Sequence, residues 1–140
     1  MDYTHSTKST FQLGVPPQEY DTLRNAEAHF KLAFKLKELG KLKEAESNYR
    51  QAVALRPDLA EAHNNLGHLL QELNRWDEAE QIIRQAIALR PEYADAHFNL
   101  GKALHVKGDK DSAIESLKKA SEINSESRQY GALLNILTFR

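Results

Sequence analysis

Residues of one kind recur in this chain at a fixed spacing of 34. Ala45, Ala79 and Ala113 align at that interval, and so do Leu32, Leu66 and Leu100. Ala52, Ala86 and Ala120 follow suit, as do the turn-formers Gly40, Asn74 and Gly108. A period of this length means that one supersecondary unit is copied and stacked, each copy burying its apolar face against the next. A chain built in this way presents an extended surface rather than an enclosed catalytic pocket.

The totals are consistent with that reading. With 140 residues, 41% of them apolar, the chain has material for one hydrophobic core. A formal net charge of −1 gives no overall field that would draw in nucleic acid or an anionic membrane. Basic and acidic residues are interleaved, as in Lys41–Lys43–Glu44–Glu46 and Lys118–Lys119–Glu122, so no one-sign block forms. Cysteine is absent, which excludes disulfides, thiolate metal sites and Cys nucleophiles and suits a reducing compartment. There is no apolar run of the roughly 18 residues a membrane span needs, nor an apolar signal-peptide core. A soluble, cytoplasmic protein is expected.

Residues 1–17 differ in composition from the rest. Thr4, Ser6, Thr7, Ser9 and Thr10 crowd a stretch that ends at Gly14 and Pro16–Pro17, too poor in apolar residues to offset the entropy of ordering it. It is expected to be a flexible tail, with a docking peptide around Phe11, Leu13 and Val15 as the alternative. From Gln18 onward Leu23, Ala26, Phe30, Ala33, Leu36 and Leu39 carry the three-and-four spacing of an amphipathic helix, which Gly40 ends. Ala45, Tyr49, Ala52 and Val53 make its partner, which stops before Pro57. Asp58, with Glu61 three residues on, is expected to cap the next helix. That cycle repeats through Ala62, Leu66, Leu70 and Leu73, turns at Asn74, and returns through Ala79, Ile82, Ile83 and Ala86 to Pro91. The third cycle runs through Ala96, Leu100, Leu104 and Val106, turns at Gly108, and closes with Ala113, Leu117, Ala120 and Ile123, with Ser125 where a proline would fall. A last helix carries Tyr130, Leu133, Leu134 and Leu137. It reads either as a cap over the last repeat or as the start of a fourth repeat.

The second copy reads His63, Leu66–Gly67, Leu70, Ala79, Ile83 and Pro91; the third reads His97, Leu100–Gly101, Leu104, Ala113 and Leu117; the first reads His29, Leu32–Ala33, Leu36, Ala45, Tyr49 and Pro57. This pattern resembles the tetratricopeptide repeat over about residues 24–125, with His for the usual Trp and aliphatic residues for most aromatics. The resemblance implies an all-α superhelix of three helix-turn-helix repeats plus a C-terminal helix. Its expected divisions are a tail at 1–17, repeats at 18–57, 58–91 and 92–125, and a last helix at 126–140.

In that family the first helices of successive repeats line a concave groove that holds a peptide or partner helix. The faces opposite the packing stripes then offer Glu27, Phe30, Lys31, Phe34 and Lys37 from the first repeat. The second offers Glu61, Asn64, Asn65, His68 and Gln71, and the third Asp95, Phe98, Asn99, Lys102 and His105. Asn65 and Asn99 precede Leu-Gly in consecutive copies, and an Asn amide can both donate to and accept from a peptide backbone. This is similar to the asparagine ladder in the repeat arm of O-linked N-acetylglucosamine transferases, broken here by Lys31. Family members that clamp acidic chaperone tails use Lys, Asn and Arg. At the matching positions Asn65 fits, but Asp95 would repel a carboxylate and Phe30 and Phe34 cannot bind one. Phe30, Phe34 and Phe98 instead suit a peptide with bulky apolar side chains.

Chemistry of other kinds finds no support in the sequence. His29, His63 and His97 sit one repeat apart at equivalent packing positions, and no histidine pair has the i, i+4 spacing of a metal site. No nucleophile elbow or phosphate loop is present, and carboxylate pairs such as Glu44–Glu46 and Asp77–Glu78 start helices, where negative charge suits the N-terminal dipole. No catalysis, cofactor or metal is expected. The reading is a protein–protein interaction module that binds a peptide or helix through Phe30, Lys31, Phe34, Asn64, Asn65, His68, Asp95, Phe98, Asn99 and Lys102. The alternatives are a substrate-recruiting arm of a larger enzyme, for example a glycosyltransferase, and a scaffold that self-associates through the last helix.

Overall fold

The computed structural model describes residues 17–139, apart from the side chain of Pro17, so the expected tail lies almost wholly outside the described residues. Seven α-helices and no strand occur among them: α1 (Pro17–Glu38), α2 (Leu42–Leu55), α3 (Ala60–Glu72), α4 (Trp76–Leu89), α5 (Ala94–Val106), α6 (Lys110–Ile123) and α7 (Arg128–Thr138). They form two units, divided between Pro57 and Asp58. The first holds α1 and α2, the second α3 to α7.

The three hairpin turns fall where the period places them. Gly40 and Gly108 have φ of 78° and 88°, and Asn74 reaches 60°, the left-handed geometry that Asn tolerates better than other side chains. Each turn closes with the same pair of backbone bonds. Gly40 N–H donates to Lys37 O and Lys41 N–H to Leu36 O, both at 2.9 Å, and the equivalent bonds recur at Asn74–Arg75 and Gly108–Asp109. This double bond pattern satisfies carbonyls that a helix C-terminus otherwise leaves open.

In the first unit α1 and α2 meet through Ala26, Ala33, Ala45, Tyr49 and Ala52, all buried, with Phe30 edge-on to Tyr49 at 5.9 Å. Leu32 departs from the period. It aligns with Leu66, which is 1% exposed, yet is itself 48% exposed. Ala26 and Ala33, seven residues apart, define the covered stripe, and Leu32 lies about 100° round the helix from Ala33. Within this two-helix unit, α2 covers only one side of α1.

The second unit is itself a stack of helices. α3 pairs with α4 and α5 with α6, while α5 packs on α4 and α7 on α6. Leu66, Leu69, Leu70, Ile83 and Leu117 fill its core. Gly67 and Gly101 let the paired helices approach. A Cβ at Gly101 would stand 2.8 Å from Leu117 Cγ, and one at Gly67 would collide with Ile83 Cγ1. The N-cap of α3 falls at Leu59 rather than at the expected Asp58. Pro57 and Asp58 make a turn instead, so the cap position passes to Leu59, which offers no side-chain bond. Leu59 contributes its carbonyl, which accepts from the N–H groups of Ala62 and His63 at 3.1 and 3.3 Å. Ser125 occupies the same kind of turn before α7, so the loop geometry does not require proline. A charged tie joins the second hairpin to the end of α5. Lys107 Nζ lies 2.8 Å from Glu80 Oε1 and 3.0 Å from Asp77 Oδ1, and its hydrogen bond holds the Glu80 carboxyl below the usual value despite partial burial.

The three repeat-spaced histidines do not share one role. His63 is buried with Nδ1 3.0 Å from Leu59 O, His97 places Nε2 2.7 Å from Pro91 O, and His29 places Nδ1 2.9 Å from Asn48 Oδ1. The residue facing the first copy's histidine is Asn48, and its counterparts one and two periods on are Ile82 and Ser116, so each copy solves the same packing site differently.

Candidate functional site

In the second unit the first helices of the repeats stand side by side and open a depression of about 210 Å³. α3 lines it with Asn64, Asn65 and His68, α5 with Asp95, Phe98, Asn99 and Lys102, and α7 with Gln129. On α3 and α5 these residues are adjacent or three to four apart, which keeps them on one broad helical face.

A hydrogen-bonded network forms its floor. Asn99 Nδ2 donates to Asn64 Oδ1 at 2.9 Å, and Asn64 Nδ2 donates to the Tyr93 hydroxyl at 3.3 Å. Gln71 Nε2 donates to the backbone carbonyl of Asn99 at 2.7 Å. Gln71, expected to face the groove, is therefore buried as a strut between α3 and α5. The network also fixes the two inner amides, Asn64 at 4% exposure and Asn99 at 6%. Asn65 is more open and has no such tie to α5. Burial raises the Tyr93 hydroxyl above its usual pKa, the hydrogen bond from Asn64 opposing the shift, so the phenol stays neutral and keeps its acceptor role.

One wall is built by α7. The Tyr130 hydroxyl donates to Asp95 Oδ1, and its ring lies on Phe98 with centroids 4.8 Å apart. Burial, and then the Asp95 bond, push the phenol above its usual pKa. Lys102 Nζ lies 5.0 Å from the centroid of the Phe98 ring, a cation–π contact. Phe98 is thus flanked by an aromatic ring and a cation. His68 Nδ1 lies 3.7 Å from Glu72 Oε1 at the open end.

Seven of the expected site residues come together in this way: Asn64, Asn65, His68, Asp95, Phe98, Asn99 and Lys102. The other three, Phe30, Lys31 and Phe34, lie on α1 in the first unit. There Lys31 pairs with Glu27 at 3.0 Å, Phe34 is half exposed, and Phe30 packs on Tyr49. Sequence reasoning missed Gln129, although it lies one period beyond Asp95 and the 34-residue spacing could have found it. A larger depression of about 650 Å³ lies among α4, α5 and α6, bordered by Arg84, His97, Glu115, Lys118 and Lys119. Its charges alternate in sign, and Arg84 and Lys119 are already paired with Glu80 and Glu92.

Comparison with known proteins bears on the family and the fold. A tetratricopeptide repeat profile matches residues 64–127 and a second TPR repeat profile matches residues 35–74. The first TPR of Spaghetti (RPAP3), solved bound to the HSP90 peptide SRMEEVD, superposes with a TM-score of 0.81 at 19% identity, covering 84% of this chain and 93% of that one. MamA gives 0.76 at 27% identity, covering 81% of this chain and 66% of that one. A mutant of the Thermobaculum terrenum O-GlcNAc transferase gives 0.79 at 27% identity over 83% of this chain, which spans only 22% of that protein. No curated protein matches the chain. The chain belongs to the tetratricopeptide repeat family, and its fold is the all-α repeat solenoid of that family. Among the described residues no helix is long and apolar enough to cross a membrane.

Proposed function

We propose that the chain is a protein-interaction module that holds an extended segment of a partner protein in the groove formed by α3, α5 and α7. The observation that carries this is the convergence of Asn65, His68, Lys102 and Gln129, from the alternate helices α3, α5 and α7, around one open depression whose floor is already hydrogen-bonded. Amide groups at that surface can pair with a peptide backbone whatever its side chains, while Lys102 and Phe98 add a charge and a ring. Because Asn64, Asn99 and Tyr93 are locked together, the groove is formed before a ligand arrives, which lowers the entropy cost of binding. The Spaghetti domain, with its bound peptide, is a precedent for the binding mode. An acidic peptide of that type is disfavoured here, because Asp95 stands at the groove wall.

The test is selection of a random short-peptide display library on the full chain and on an Asn65→Ala, Lys102→Glu variant. The expected result is enrichment on the first and loss of capture on the second at unchanged helicity. Equal capture by both would remove the groove from consideration. A second reading, that this is a substrate-recruiting arm of a larger enzyme, draws on the likeness to the O-GlcNAc transferase. Binding of glycosyltransferase substrate peptides in preference to library peptides would favour it.

A further inference from the structure

The groove residues of α3, α5 and α7 are related by the repeat period itself. Glu61, Asp95 and Gln129 form one series, Asn65, Asn99 and Leu133 the next, and His68, Lys102 and Ile136 the third, each step being 34 residues. On every helix the three positions are separated by four and then three, so each set runs up one face. Gln129 lines the depression, and Tyr130 next to it fixes α7 against Asp95 and Phe98. Leu133 and Ile136 therefore continue the same surface along α7, about one and two turns further on.

Along that surface the chemistry changes. The amide row of Asn65 and Asn99 ends in Leu133, and the polar row of His68 and Lys102 ends in Ile136. Ile136 is 50% exposed and Leu133 half-buried. Ile136 lies outside the stripe that docks α7, in which Tyr130 and Leu137 are seven residues apart and both buried, and Leu133 lies at the edge of that stripe. Phe98 has the Tyr130 ring at 4.8 Å and Lys102 Nζ at 5.0 Å, and Ile136 on α7 adds a half-exposed aliphatic side chain to the same groove.

We infer that Leu133 and Ile136 form an apolar anchor at one end of the groove. The occupant is an extended segment of a partner protein in which a polar stretch, held by Asn65 and its neighbours, is followed or preceded by one bulky aliphatic or aromatic side chain. The inference rests on the groove reading proposed above, and its ground is continuity: the apolar residues occupy the register positions of the polar ones on a surface that Gln129 joins without a break. Seating one such side chain on two aliphatic neighbours removes enough apolar area from water to matter by about tenfold or more in affinity.

The experiment takes peptides enriched from the random display library and measures their affinity by fluorescence anisotropy. The proteins are the full chain, Ile136→Ser, Ile136→Met and a Leu133→Ser, Ile136→Ser pair, with circular dichroism confirming equal helicity. Enriched peptides should share one bulky apolar position, and Ile136→Ser should weaken them about tenfold or more, while Ile136→Met retains binding. Replacing that peptide residue by Ser should weaken binding to the wild type but not further to the double variant. Peptides that bind in the groove with no apolar preference, or bind Ile136→Ser as well as wild type, overturn the anchor and leave the groove standing. No enrichment at all overturns both. Concentration-dependent self-association that Ile136→Ser abolishes, without an apolar preference in the peptides, assigns the surface to a second copy of the chain and overturns the inference.

Discussion

A methyl group added at Gly67 should change its effect from harmful to helpful when one partner residue is trimmed. In a helix interior Gly→Ala ordinarily stabilises by about 1 kcal/mol, because Ala restricts the unfolded backbone. At Gly67 the new Cβ would run into Ile83 Cγ1, with Cδ1 at 3.1 Å and the Ala79 carbonyl oxygen at 3.4 Å. Ile83 is fully buried and has no free direction to move into. Overpacking of this kind costs about 1 to 3 kcal/mol, so Gly67→Ala should destabilise by up to about 2 kcal/mol net. Ile83→Ala alone opens a cavity and should cost about 2 to 5 kcal/mol. It also removes both clashing carbons, so in that background Gly67→Ala should regain its ordinary stabilisation of about 1 kcal/mol. The assay is urea denaturation of the four proteins of this double-mutant cycle, followed by far-UV circular dichroism. An equal loss from Gly67→Ala in both backgrounds would refute the claim that Ile83 is what demands glycine there.

Three further outcomes follow from single features. Asn74→Ala should destabilise by about 1 kcal/mol, since Ala disfavours a φ of 60°, and Asn74→Gly should be neutral or slightly stabilising; thermal melts of both decide. Lys107→Met should lower the urea midpoint near neutral pH by an amount that fades in acid. The Glu80 pKa is lowered from 4.5 chiefly by the Lys107 hydrogen bond, so that stabilisation is complete above 4.5 and is lost as pH falls through the depressed value; a difference that stays constant down to strongly acidic pH would contradict the pairing. Tyr130→Phe keeps the ring on Phe98 but deletes the bond to Asp95, so hydrogen exchange in α7 should quicken by about tenfold to a hundredfold, as loss of one hydrogen bond to a charged group requires.

The sequence made the helix hairpins legible because two local signals agreed at each hairpin turn: a three-and-four apolar spacing and a left-handed turn residue at Gly40, Asn74 and Gly108. Gly67 and Gly101 were readable for the same reason, as small residues at the closest helix contact. Burial was read less well. Leu32 shares its register with Leu66, but whether a stripe is covered depends on which helices lie beside it, and periodicity carries no such information. The cap was expected at Asp58 and falls at Leu59, because a Pro-Asp turn competes with a capping box and local sequence does not say which wins. At the site, the shared face of Asn64, Asn65, His68, Asp95, Phe98, Asn99 and Lys102 was predictable from spacing. Which amides would be spent on each other was not. The Asn99–Asn64–Tyr93 chain and the Gln71 strut each join residues 28 to 35 positions apart, and such pairings depend on how adjacent repeats are set. Gln129 escaped because groove residues were sought on the three full repeats, and the 34-residue register was not carried on to α7.

The most direct test of the groove is solution NMR of the isotope-labelled full chain, titrated with one peptide enriched from the display library. The groove account predicts shifts concentrated at Asn65, His68, Lys102 and Gln129, continuing to Leu133 and Ile136, with Arg84, Glu115 and Lys118 unmoved. Shifts gathered at Arg84, Glu115 and Lys118, with the α3–α5–α7 surface silent, would contradict it.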